Sequence, residues 1–293
     1  MSWLSDRAVQ NEIVKITRDR EVGVLIAFDK EDKPIANRRL YANGTDQFKT
    51  ILRMMKYDKE EKKVSFFVGS NRINLKSLEM PMLHKCFSPE WKAFKETWNA
   101  NVGNADVYFG KNLIWDFDEV EKPMEAFELA DGLCAYLDEQ GFNPMMVFSG
   151  NKGFHVWLSH EESKAITNHD FSDFTDKKDN ARELGHFYAE TVQRLLKEAT
   201  GEELMVCDLS PVQRQGLIRC PYTIHPKTGQ IVYPLNKVNL DTLRGLSEDV
   251  SALDIAKAIH PWESPSENSF SDAPLYHPPM SQIFNRGMPI WEP

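Results

Sequence analysis

The chain has 293 residues, 41% hydrophobic and 27% charged, with a formal net charge of −9. That balance suits a globular chain with a sizeable core, and no apolar run approaches the roughly 18 residues of a membrane-crossing helix, which excludes such a helix. Cys86, Cys134, Cys207 and Cys220 are scattered without a CxxC pair, which excludes a disulfide framework and a cysteine-rich zinc site. The opening MSWLSDRAVQNEIVKITRDRE lacks the apolar stretch of a secretion signal, so the expectation is an intracellular protein, not a secreted or membrane one.

In chain order, Val22–Phe28 reads as a strand and Asp29–Pro34 as a turn. Thr45–Met55 sets Phe48, Ile51, Leu52 and Met55 at helical spacing. Between Arg38 and Leu78 ten basic residues face four acidic ones. Overall acidity opposes tight non-specific binding to phosphate backbones. The local excess reads either as a solvated surface or as a place where Arg38, Arg39, Lys49 and Arg53 meet nucleic acid. Val64–Val68 is a strand, Trp91, Phe94 and Trp98 suggest a short helix, and Leu113–Phe117 is a strand running into an acidic pair.

Pro123 opens a helix lined by Phe127, Ala130, Leu133, Cys134 and Leu137, which Gly141 ends. Met145–Phe148 and Phe154–Leu158 are strands around a glycine-bearing turn, Ser149–Gly153. Ala181–Ala199 is an amphipathic helix closed by Gly201, and Leu204–Cys207 and Ile231–Tyr233 are short strands. Strands and helices mix without strict alternation, so the fold class expected is α+β. Residues 1–260 read as one catalytic domain, and 261–293 as a Pro/Ser-rich tail.

Three segments carry chemistry. In IWDFD, residues two apart on a strand share a face, so Asp116 and Asp118 project together. Paired carboxylates either hold a hard cation such as Mg²⁺ or Mn²⁺ or stand as two solvated acids. In SGNKGFH the glycines let the backbone approach an anion, and Ser149, Lys152 and His155 offer a hydroxyl, an ammonium and an imidazole to it. The bland alternative is a hairpin turn with a buried histidine. In CDLSPVQRQGLIRCPYTIHPKTG, Asp208 follows an apolar strand as Asp116 does, and Arg219 and His225 could converge on a polyphosphate. The alternative there is a surface loop.

This ordered triple resembles the archaeo-eukaryotic primase superfamily, specifically the DNA primase catalytic small subunit, whose pattern is hhDhD, SGxxGxH and an aspartate followed by an HPKTG-like run. The resemblance spans roughly residues 10 to 240 and includes Arg20-Glu21 and Arg38-Arg39-Leu upstream. It implies the superfamily's catalytic fold around a three-aspartate cleft. Asp116, Asp118 and Asp208 match the metal-binding catalytic acids, and Ser149, Lys152, His155, Arg219 and His225 match the nucleotide-phosphate contacts. Two-metal nucleotidyl transfer with Mg²⁺ or Mn²⁺ is the implied chemistry. The implied substrates are a single-stranded DNA template and NTP or dNTP. A large primase subunit, a helicase or a single-strand binding protein are the implied partners.

The sequence departs from the family in one respect. The usual knob of clustered Cys and His has no counterpart, with only Cys134 between Glu119 and Gly141, so no zinc is expected. Primer synthesis, extension of existing 3′ ends and non-catalytic nucleotide binding all remain open at this level.

Overall fold

The computed structural model describes residues 3–26, 35–55, 64–74, 89–101, 108–118, 120–169, 180–201, 207–213, 216–225 and 227–259. The expected turn at 29–34, most of the expected strand at 204–207 and the tail at 261–293 lie outside them. The fold is α+β, with two antiparallel sheets and helices packed around them.

The first sheet contains β1 (Arg20–Ile26), β2 (Ile35–Leu40), β3 (Val64–Ile73), β4 (Tyr108–Lys111) and β8 (Leu217–Arg219). Its order is β2-β1-β3-β4, with β8 also on β3. β3 runs long enough to serve two neighbours on one side. Val68 lies opposite both Val22 of β1 and Ile218 of β8, and Arg72 lies opposite Arg20 and Gly110.

The second sheet has the order β5 (Ile114–Asp116), β7 (Phe154–Trp157), β6 (Met145–Phe148), β9 (Tyr233–Pro234). β5, β6 and β7 are buried throughout, as expected of strands covered on both faces.

Helices α1 (Arg7–Thr17), α2 (Thr45–Met54) and α3 (Pro89–Asn101) accompany the first sheet in sequence, and α4 (Pro123–Glu139) follows β5. Then come α5 (His160–Thr167), α6 (Asn180–Thr200), α7 (Lys237–Arg244) and α8 (Ala252–Ile259). Asp6 caps α1 by accepting from the Ala8 and Val9 amides, and Ser159 with Glu162 forms a capping box on α5. α4 buries the five residues its apolar periodicity selects, and Gly141 beyond it has φ +85°. Trp115 of β5 is fully buried and donates its indole N–H to the Val192 carbonyl at 2.9 Å, which ties β5 to α6. Among the described residues no helix is long and apolar enough to cross a membrane.

The first sheet also buries cations. Lys111 donates to Ser70 Oγ and Asn71 Oδ1, each at 2.9 Å, and Arg20 reaches Asn112 Oδ1 at 2.7 Å. Burial, and then the neighbouring Arg20, push Lys111 from 10.5 down to about 7. Above about 7 the unfolded chain holds a proton that the folded chain lacks, so this group makes stability climb with pH. The buried thiols Cys134, Cys207 and Cys220, all pushed upward, oppose the climb above about pH 8.5. Denaturant unfolding between about pH 7 and 8.5 should therefore show rising stability in the wild type, and Lys111→Met should flatten it. Equal slopes in the two proteins would contradict the assignment.

Candidate active site

The three sequence motifs meet through the main chain. Asp116 ends β5 and sits opposite His155 of β7. On its other side Asp208 forms an isolated antiparallel bridge, its amide donating to the Asp116 carbonyl at 2.8 Å. Directly opposed residues in antiparallel pairs present neighbouring side chains on one face. Asp116 is thus flanked by one residue from each of the other motifs. Because β5 stops at Asp116, Asp118 enters from a turn rather than by strand alternation. Its amide donates to Asp116 Oδ1 at 3.2 Å, which holds the two acids together.

This arrangement is electrostatically costly as it stands. Burial holds the Asp116 carboxyl well above the usual range, and the charges of Asp118 and then Asp208 push the same way. Asp118 Oδ1 is buried without a hydrogen-bond partner. His155 is 1% exposed, its Nε2 lies 3.5 Å from Asp116 Oδ1, and its Nδ1 has no partner. Burial lowers the His155 pKa to about 4 against the pull of Asp118, so the ring is neutral near pH 7.

One ligand atom each from Asp116, Asp118 and His155 lies within 4.8 Å of the others. Two carboxylates, one of them with an orphaned buried oxygen, and a neutral imidazole fit a divalent cation. Asp208 is turned otherwise. Its Oδ1 accepts from the Ser210 amide at 2.8 Å and its Oδ2 from the Ser210 hydroxyl at 2.6 Å, so the backbone delivers it to the site while Ser210 holds its side chain.

The glycine-bearing turn is built to close on the acids. Ser149 is fully buried, and its Oγ accepts from the Gly153 amide at 3.2 Å. Gly153 has no room for a side chain, because a Cβ there would overlap Asp118 Oδ1 and lie 2.8 Å from Asp118 Cα. Gly150, at φ +81°, faces the third motif: a Cβ on it would come within 2.9 Å of His225 Cβ. Thr228 donates its hydroxyl to the Gly150 carbonyl, so the SGNKG and HPKTG turns are packed together, with Lys152 half-buried in the first. Pro226 lies outside the described residues.

His225 is buried, and its Nδ1 accepts the Lys227 amide at 3.3 Å. Burial, with Arg219 next, lowers it to about 4. The neutral ring therefore carries its proton on Nε2 and offers a donor. Arg219 comes from the other sheet. It lies opposite Phe67, its guanidinium 5.1 Å from that ring's centroid, and Nη1 donates to Ser65 Oγ at 3.4 Å. Burial lowers its pKa while the charges of Asp118 and Asp116 raise it, which couples β8 electrostatically to the acids at the end of β5 and in the turn after it.

The basic stretch is divided. Arg38 grips Glu21 through Nε at 2.9 Å and Nη2 at 3.3 Å. Arg39 is buried, bonded to Glu21 and to Asn99 Oδ1 at 2.9 Å, and lies 5.6 Å from the Trp98 ring centroid. Its guanidinium is thus committed to the fold. Lys49 is half-buried and Arg53 exposed, both on α2.

Two site features escaped sequence reading. His155 stands beside the acids and not only among phosphate donors, which the pairing of β5 with β7 decides. Ser210 follows Asp208 in a D-x-S spacing, a short signal of an Asp side chain held by a following amide and hydroxyl.

The polymerase domain of Mycobacterium tuberculosis ligase D in complex with DNA aligns at TM-score 0.48 and 14% identity, covering 93% of this chain and 91% of that chain. No curated protein matches. The family model of the DNA primase small subunit matches residues 128–236, a span that holds the second and third motifs and begins just after the Asp116–Asp118 pair. That match spans two of the three motifs, and the first, IWDFD, is joined to the third through the bridge between Asp116 and Asp208.

Proposed function

We propose that this chain is a metal-dependent nucleotidyltransferase that builds a nucleic-acid strand on a single-stranded DNA template from NTPs or dNTPs. The observation that carries the reading is the convergence of Asp116, Asp118 and His155, with Asp208 bridged to Asp116. These residues would hold Mg²⁺ or Mn²⁺, which when bound lowers the pKa of an attacking 3′-hydroxyl and neutralises leaving pyrophosphate. Asp208, bridged to Asp116, would supply the third carboxylate of a two-metal site.

The remaining residues act on the triphosphate. Arg219 supplies a fixed positive charge, His225 donates from Nε2, and Lys152 and the Ser149 hydroxyl lie in the turn packed against the His225 segment. Donors placed in a dry cleft stabilise charge that develops on phosphate oxygens at little reorganisation cost. Residues 1–260 form the catalytic domain in this reading and 261–293 a Pro/Ser-rich tail, and a large primase subunit, a helicase or a single-strand binding protein would be the protein partners.

Incubation with single-stranded template, Mg²⁺ or Mn²⁺ and nucleotides, with and without a primer, tests the activity and separates priming from extension. Product without primer identifies a primase, product only with primer identifies an extending polymerase, and no product under either condition rejects the reading. Arg219→Ala and His225→Ala should each weaken nucleotide binding by roughly tenfold to a hundredfold while sparing template binding, since hydrogen bonds to charged groups contribute about 1.5–3 kcal/mol. Titration of nucleotide and template separately checks this. Loss of template affinity alone would move both residues out of the nucleotide site.

A further inference from the structure

A second positive centre lies on the first sheet, and only its inner end meets the third motif. Arg20, Arg72 and Lys111 are all buried there, on neighbouring strands. The carboxylate facing Arg72 is Asp19, 3.8 Å from Nη2 and itself bonded by the Asn43 side chain at 2.8 Å. The other carboxylate facing the cluster, Glu161, is bonded to His160 Nε2 at 2.9 Å. Several donors have no acceptor: Nε and Nη1 of Arg72 and Nε of Arg20. Buried guanidinium groups left this way are costly unless an anion completes them.

The cluster opens to solvent at one end. The Arg72 guanidinium lies 5.5 Å from the ring centroid of Phe109, which also meets His160 edge-on. Phe109 is 44% exposed, and among the described residues only Val238 is another large hydrophobic so exposed. Exposed Arg18 stands near enough to act on Arg72 electrostatically. At its inner end Lys111 donates to the Gln213 carbonyl at 3.3 Å, in the loop that leads from Asp208 to β8.

We propose that Arg18, Arg72 and Phe109 form a contact site for single-stranded nucleic acid, with a backbone phosphate on the two arginines and a base on the outer face of Phe109. An exposed aromatic beside under-satisfied cations is the pairing that binds strands without reading their sequence. It also gives an acidic chain a localised place for template, where Arg38 and Arg39 are already engaged by Glu21. The choice of nucleic acid over an acidic peptide rests on the proposed polymerase reading, and on Phe109, which an acidic peptide has no need of.

Fluorescence anisotropy with a short labelled single-stranded DNA tests the site. Phe109→Ala should weaken binding on the order of tenfold, as base–aromatic stacking does elsewhere. Arg18→Ala should reduce the slope of log K against log salt by about one. Nucleotide binding and melting temperature should hold in both variants, and Arg18, being exposed, keeps the test sound if Phe109→Ala unfolds. Wild-type-like DNA affinity and salt slope in the folded variants would overturn the proposal. So would a wild type that binds no single strand, equal losses with duplex, or competition by polyglutamate as effective as by oligonucleotide. If the wild type incorporates no nucleotide yet Phe109→Ala still loses single-strand binding, the catalytic reading falls and this site stands.

Discussion

Asp116→Asn should lower nucleotide incorporation by on the order of a thousandfold. A bound divalent cation supplies several kcal/mol of charge stabilisation, and each 1.36 kcal/mol is tenfold in rate. The same substitution should not harm the fold. Asp116 is buried beside Asp118 and bridged to Asp208, and its folded pKa lies above its unfolded value. For a group raised this way, stability present at low pH is lost as pH rises through the folded pKa. At neutral pH the neutral amide escapes that loss, so metal-free Asp116→Asn should melt at or above the wild-type temperature. Added Mn²⁺ should raise the wild-type melting temperature by mass action and leave the variant unmoved. Incorporation near wild-type rates, or Mn²⁺ stabilisation retained in the variant, would contradict the assignment.

Gly153→Ala should damage the site through a different route. The new methyl group would overlap Asp118 Oδ1 and crowd Asp118 Cα, so the main chain of the acidic turn must move. A displacement of about 1 Å at a reacting centre costs on the order of a hundredfold in rate. Metal affinity should fall with it. Gly132→Ala is the control, since a Cβ there meets nothing nearer than Thr200 Cγ2 at 3.9 Å and the helix interior favours alanine. That variant should keep full activity and gain slightly in stability. Equal activity in the two alanine variants would show that the turn has slack the structure does not suggest.

Elements with strong periodicity were legible in the sequence, and the reason is local. α4 carries five apolar residues on one face between Pro123 and Gly141, so its pattern, start and stop agree. α6 and the strands either side of the glycine turn were legible for the same reason. Other elements lack such a local pattern. α5 buries only Ser163, leaving no apolar stripe to read, and it is positioned by the Leu113 amide donating to Ser163 Oγ at 2.8 Å. β8 is three residues long and is defined by β3, a partner far away in sequence. α1, by contrast, carries apolar residues at helical spacing, Val9, Ile13, Val14 and Ile16, and an Asp6 cap, so its signal is local and present in the sequence.

The candidate site divides the same way. The order of the three motifs and their resemblance to the primase pattern nominated Asp116, Asp118, Asp208, His155, Arg219 and His225, while each motif alone left a bland alternative open. Their relative placement came from long-range pairing. The bridge between Asp116 and Asp208, and the His155 position opposite Asp116, are properties of strand register that no local window contains. Arg39 shows the opposite failure. Its charge suggested a nucleic-acid contact, yet Glu21, Asn99 and Trp98 surround it, and burial is not encoded in charge.

The most direct measurement is anomalous diffraction from crystals of the protein grown with Mn²⁺ and a non-hydrolysable nucleotide. The predicted result is a manganese peak between Asp116 and Asp118, with the triphosphate against Arg219 and His225. A nucleotide bound elsewhere, or manganese that avoids both Asp116 and Asp118 at saturating concentration, would contradict the proposed site.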